Sequence, residues 1–272
     1  MSVLDDIIVG VREDLAARES ALPLSRLRSD AQARPAALDA YSALRGNGPG
    51  GLEVIAEVKR SSPSKGSLAS ITDPAALAAR YESGGAAVVS VLTEQRRFKG
   101  SLADLDAVRA RVGIPVLRKD FTVTDYQIWE ARAHGADLVL LIVAALGDAQ
   151  LEHFLGLTHE LGMNALVETH TAEEVDRAAA VDARLIGVNV RNLKTLDIDR
   201  SVFSELTGRI PEGTVTIAES GVRDIADVEQ FAAQGANAIL VGEALVRHDD
   251  PESTIGAFRA AGSRAWRGVH QH

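Results

Sequence analysis

"VIAEVKRSSPSKG", residues 54–66, opens on the apolar run Val54, Ile55, Ala56 and then places Glu57, Lys59, Arg60 and Lys65 among three serines. A strand with apolar residues on both faces is buried on both sides, as in a parallel sheet covered by helices. Its polar end marks where such a sheet gives way to a functional surface.

Seven further runs repeat the pattern: "AAVVSVLT" (86–93), "IPVLRKD" (114–120), "ADLVLLIV" (136–143), "NALVETH" (164–170), "RLIGVNV" (184–190), "TVTIAES" (214–220) and "NAILVGE" (237–243). With "LEVIAEV" (52–58) they make eight candidate strands. Between them lie amphipathic stretches such as "DPAALAARYESGG", "SLADLDAVRARVG" and "DIADVEQFAAQGA", which open on Asp or Ser and close on Gly, the signature of capped helices. Eight βα units closing on themselves form a (β/α)₈ barrel. An open doubly wound sheet fits the same alternation, but a count of eight favours closure. Val3, Leu4, Ile7, Ile8, Val11 and Leu15 recur at helical spacing, so residues 1–45 read as a helical extension to a single barrel domain spanning 1–272. The "GNGPGG" stretch at 46–51 precedes the first strand, so it reads as a linker and not as a dinucleotide loop.

Composition narrows the function. The 272 residues are 46% hydrophobic and 25% charged, which suits an ordinary globule with a sizeable core. A net charge of −9 repels nucleic acid and anionic membranes, so neither is an expected partner. No cysteine is present, which removes disulfides and thiolate chemistry. The histidines lie in separate segments, so no metal site is expected; most read as solvated helix or loop residues, with His270 and His272 in a frayed tail. Asp5, Asp6, Arg12 and Glu13 interrupt the amino-terminal apolar pattern, and "LVLLIVAAL" (138–146) is far short of the ~20 residues that cross a bilayer. The expected location is the cytoplasm, and the expected state a monomer.

In a barrel, every strand's carboxyl end faces one mouth, where catalytic residues gather. The strand ends here carry Glu57, Lys59 and Ser62; Arg118, Lys119 and Asp120; Glu168; Asn189 and Arg191; Glu219, Ser220 and Gly221; and Gly242 with Glu243. The opposite ends, such as "GGAA" and "VGIP", are bland. Two lysines among three acids suit acid–base chemistry, since a lysine near another cation becomes a usable proton donor. A Schiff base or buried ion pairs remain open uses of the same residues. The Gly-rich turns after the last two strands suit phosphate. Phe98 and Phe121 lie just past strand ends, where they can line an aromatic slot or pack in the core. Trp129 and Trp266 read as packing residues.

The segments "IAEVKRSSPSKG", "VLTEQRRFKGS", "VLRKDF", "LVET", "VNVRNL", "AESGV" and "LVGEALVR", in that order, resemble the indole-3-glycerol-phosphate synthase family over essentially the whole chain. The resemblance implies a barrel that needs no cofactor and acts on an anthranilate-derived sugar phosphate, 1-(o-carboxyphenylamino)-1-deoxyribulose 5-phosphate. It implies ring closure with loss of carbon dioxide and water. By position in those motifs, Lys119 resembles the general acid, Lys59 the lysine that meets the substrate carboxylate, and Glu168 the base, with Glu57 beside it. Asn189, Arg191, Glu219 and Ser220 resemble substrate-orienting residues, and Phe98 and Phe121 those flanking the aromatic ring. Ser62, Gly221, Gly242 and Glu243 match phosphate contacts, the last through its backbone N–H alone. Two rivals are a phosphoribosylanthranilate isomerase, which has no need of two lysines, and a noncatalytic ligand-binding barrel. The extension is placed to cover the barrel mouth.

Overall fold

A computed structural model describes residues 3–45, 51–62, 66–67, 71–193, 195–246 and 250–270. Lys65, His248, His272 and nearly all of the 46–51 linker lie outside the described residues.

Eight parallel strands close a barrel: β1 Glu53–Val58, β2 Val88–Leu92, β3 Val116–Lys119, β4 Leu138–Ile142, β5 Asn164–Thr169, β6 Leu185–Asn189, β7 Val215–Glu219 and β8 Ala238–Val241. Each pairs with the next in the chain, and β8 returns to β1. Closure sets aside the open sheet. Three helices precede β1: α1 Val3–Ala21, α2 Leu24–Gln32 and α3 Ala40–Arg45. The rest follow the strands: α4 Pro74–Ser83, α5 Leu102–Arg111, α6 Asp125–Ala133, α7 Asp148–Glu160, α8 Ala172–Ala180, α9 Ser201–Thr207, α10 Ile225–Ala233, α11 Glu243–Val246 and α12 Pro251–His270. Asp73, Ser101, Thr171 and Asp224 cap α4, α5, α8 and α10 through their side chains, as their types predict. The tail expected to fray at His270 is instead helical up to that residue. Among the described residues no helix is long and apolar enough to cross a membrane.

Strand side chains alternate between two cores. Val54, Ala56, Val89, Val91, Val139, Leu141, Val167 and Ile186 pack outward with the helices. Ile55, Val88, Leu117, Leu140, Leu166 and Ile217 fill the barrel interior. Glu57, Lys119, Glu168 and Glu219 share the parity of this inner set and are its uppermost members. Register places them at one level: Lys119 lies opposite Leu92, Glu168 opposite both Ile142 and Gly187, and Glu219 opposite Asn189.

The extension touches both ends of the barrel. Leu4, Ile7 and Val11 of α1 join the inner apolar cluster together with Phe121 and Ile142. Leu15, Leu27 and Ala31 pack with Tyr126 and Ala133 of α6. At the opposite end Ala40 and Leu44 are fully buried, and the Leu38 and Ala40 N–H groups donate to Asp137 (2.7 Å) and Asn164 (3.0 Å), which precede β4 and begin β5. Tyr41 Oη donates to the carbonyl of Gly213 (2.9 Å), just before β7.

Candidate active site

The strand ends enclose a cavity of about 250 Å³. Lys119 Nζ sits between two carboxylates, 3.3 Å from Glu168 Oε2 and 3.1 Å from Glu219 Oε2. Lys59 Nζ meets Glu57 Oε1 at 2.6 Å in the same cavity. Ser62, Asn189, Arg191, Ser220, Gly221, Gly242 and Glu243 also line it, as do Phe98 and Phe121, whose ring centroids are 6.1 Å apart. Every residue that the resemblance assigns to the site thus reaches one cavity, and Val3, Leu4 and Ile7 of α1 form part of its wall.

The charges are strongly coupled. Burial disfavours the Lys119 ammonium, but Glu219, Glu168 and Glu57 outweigh that cost and hold its pKa above the ordinary lysine range. The expectation of a lysine loosened by a neighbouring cation is therefore reversed, because carboxylates surround this one. Burial opposes the Glu57 charge too, yet Lys59 and Lys119 hold its carboxyl below the usual range. Glu168 is likewise held low against burial, by Lys119, His170 and Asn189. Glu219 goes the other way: burial, with Glu168 beside it, pushes it up to about 8 despite Lys119. Of the carboxyls in this group, Glu219 is therefore the one that takes up a proton most readily.

Local structure fixes the surrounding parts. The buried Glu94 carboxylate accepts the backbone N–H groups of Arg96, Arg97 and Phe98 at 2.7–2.9 Å and so shapes the loop that presents Phe98. Arg96 ties that loop to α1 through Glu13 (2.6 Å) and Asp14 (2.7 Å). After β7 the chain turns through two successive left-handed residues, Ser220 at φ 67° and Gly221 at φ 78°. For serine that conformation is uncommon and strained, as often found at binding sites. Arg200 Nε donates to the Gly221 carbonyl at 2.8 Å and braces the turn. Burial lowers the pKa of Arg191, and the charge of Glu243 opposes this, so the Glu243 side chain acts on a guanidinium within the site.

Other strand-end residues do different work. Arg118 points outward to Glu130 (2.8 Å) and Asp120 (3.0 Å). Asp120 reaches the cavity rim, but Thr93 Oγ1 donates to it at 2.6 Å and the Phe121 N–H at 2.8 Å. Arg60 leaves the site for Asp104 at 3.0 Å. The general reading of solvated histidines fails at His170, which is part-buried between Glu168 and Glu174. Trp129 and Trp266 pack against the outer core, as expected. Gly187 reads in the sequence as an ordinary strand residue, yet a Cβ there would lie 1.9 Å from Glu219 Oε1. A glycine inside "LIGVN" was the available signal, since glycine in a strand often marks a close approach.

A family model described as "Indole-3-glycerol phosphate synthase" matches residues 4–258. The chain belongs to the indole-3-glycerol phosphate synthase family. A relative of that name from Arthrobacter sp. (strain FB24) is 64% identical over 97% of this chain and 98% of its own. Another, from Paenarthrobacter aurescens (strain TC1), is 63% identical over the same shares. Among solved structures, a thiamine phosphate pyrophosphorylase from Pyrococcus furiosus aligns at a TM-score of 0.59 and 12% identity, covering 79% of this chain and 96% of that one. A 3-hexulose-6-phosphate synthase aligns at 0.60 and 16% identity, covering 77% and 99%. At such identities these two show the barrel fold alone. Membership in the indole-3-glycerol phosphate synthase family makes the chain a carboxy-lyase of tryptophan biosynthesis and sets aside both the isomerase and the noncatalytic barrel.

Proposed function

We propose that Lys119, Lys59, Glu168 and Glu57 divide the proton transfers of indole ring closure on 1-(o-carboxyphenylamino)-1-deoxyribulose 5-phosphate. The observation that carries this reading is the Lys119 ammonium held between Glu168 and Glu219 in the cavity that also holds the Lys59–Glu57 pair. Phosphate binds at Ser62 and the turns at Gly221, Gly242 and the Glu243 N–H. The aromatic ring lies against Phe98, Phe121 and the apolar face of α1, while Asn189, Arg191, Glu219 and Ser220 orient the hydroxyls and the anthranilate.

As the ring carbon bearing the carboxylate attacks the ribulose carbonyl, negative charge grows on its oxygen. The adjacent Lys119 ammonium stabilises that charge and then protonates the oxygen. An alkoxide is more basic than an amine, so the transfer stays favourable even for a tightly held lysine proton. Loss of carbon dioxide returns the bonding pair to the ring and restores aromaticity. Lys59, steered by Glu57, protonates the departing hydroxyl. The cationic C–N system left behind has an acidic C–H, which a carboxylate as weakly basic as Glu168 can deprotonate.

The charge of −9, which repels nucleic acid, supports a small-molecule substrate as the partner. The docking of the extension onto both barrel ends supports one domain; the same reading makes the protein a cytoplasmic monomer, and light scattering tests the monomer. Incubation with the carboxyphenylamino sugar phosphate should generate indole fluorescence. Unchanged substrate would overturn the reading.

A further inference from the structure

His170 follows β5 two residues after Glu168, on the same side of the chain. Its side chain is only 10% exposed. Nδ1 lies 3.1 Å from Glu174 Oε2, and Nε2 lies 3.4 Å from Glu168 Oε1. Glu174 is itself fixed: its Oε2 also accepts the His170 backbone N–H at 2.7 Å, and its own N–H donates to the Thr171 side chain at 3.2 Å at the start of α8. A neutral imidazole carries one N–H and one lone pair. Placed between two carboxylates, it would turn that lone pair against one of them, whereas an imidazolium attracts both: Nδ1 contacts Glu174, and Nε2 faces Glu168 across 3.4 Å without a hydrogen bond.

The consequence falls on the carboxylates flanking Lys119. Glu168 has a basic group at each oxygen, the Lys119 ammonium at Oε2 and the His170 ring at Oε1. Glu219 meets Lys119 at Oε2, while its buried Oε1 faces no cation; neither that oxygen nor His170 Nε2 makes a hydrogen bond, so the difference between the two carboxylates is one of charge. We propose that His170 is a positioning residue for Glu168: an imidazolium braced by Glu174, it holds the outer Glu168 oxygen and makes Glu168, not Glu219, the carboxylate that stays ionised to accept a proton. This rests on the reading of Glu168 as the base. The groups that bear on the Glu168 charge are Lys119 from β3, Glu219 from β7, Glu57 from β1, Asn189 from β6 and His170 itself; those that bear on His170 are Glu168 and Glu174. Burial opposes the His170 charge, but the Glu168 and Glu174 carboxylates that face the ring push its pKa up to about 9.

NMR titration of the wild-type imidazole should give a midpoint well above the ordinary histidine value of about 6.5, and Glu174→Gln should lower it. His170→Gln keeps a donor but drops the charge. It should lower kcat at neutral pH by roughly tenfold, since a displaced catalytic group loses orientation, with little change in KM. It should also move the acidic limb of the kcat profile to higher pH, because protons now reach Glu168 more readily. A neutral His170 at pH 7, or a His170→Gln limb at the wild-type pH, overturns the proposal, as does a uniform drop at every pH. Glu168→Gln separates the two readings. If it stays active, the base assignment fails; if it is inactive while His170→Gln keeps the wild-type profile, only the positioning role fails.

Discussion

Arg118 and Lys119 are neighbours in β3, and pleating sends them into two different charge clusters. Arg118 lies on the outer side and is only 3% exposed. All of its nitrogens are occupied: Nη2 by Asp120 and Glu130, Nε by Thr93 and Nη1 by the Gln127 carbonyl. The second Glu130 oxygen takes Arg18 of α1 at 2.8 Å. Lys119, on the inner side, is one ammonium between two carboxylates, one of which keeps an unsatisfied oxygen. The outer cluster is closed and holds helices to the barrel. The inner one is left unbalanced, which suits the proton transfers proposed for it.

Four substitutions can break or sharpen this contrast. Arg118→Ala strands two buried acids, and removing one partner of a buried ion pair costs about 3–5 kcal/mol. Thermal denaturation should show the loss, and an unchanged Tm would end the scaffold role. Lys119→Ala should lower kcat by ~10²-fold or more, the scale of general acid catalysis. Its fold should survive, because Glu219 can take a proton and the cavity admits water. Retained turnover would remove the acid assignment.

Glu219→Gln acts on the pH dependence of stability. Folding raises the Glu219 pKa from 4.5 to about 8, so its stabilising contribution is complete below 4.5 and is lost as pH rises through 8. The wild type should therefore lose Tm relative to the variant across that window. Parallel curves would place the proton elsewhere. The smallest effect belongs to the exposed Arg209–Asp176 pair at 2.6 Å. Arg209→Ala should leave Tm almost unchanged, and a clear loss would show that charge saturation does not separate the two classes.

The barrel was legible because each strand is apolar on both faces and most end polar, and all eight lie within two residues of their expected bounds. The site was legible as a set of strand ends. Direction within a strand end was not: "RKD" does not say that Arg118 turns outward, because the in–out sense of a doubly buried strand is invisible until the register is known. The raised Lys119 pKa was also missed, since it depends on Glu168 and Glu219, 49 and 100 residues away in the chain. His170 looked like any polar residue after a strand, and only Glu174, one turn into α8, shows its role.

The extension carries a consequence for biosynthesis. Tyr41 bonds Gly213, 172 residues later, so at a ribosomal pace of roughly 5–20 residues per second its partner emerges on the order of ten seconds after it. The helices translated first must wait, unattached, for the strands that seat them. Nascent chains halted before β7 should leave residues 3–45 open to protease, and the active-site wall formed by Val3, Leu4 and Ile7 should be among the last surfaces to mature.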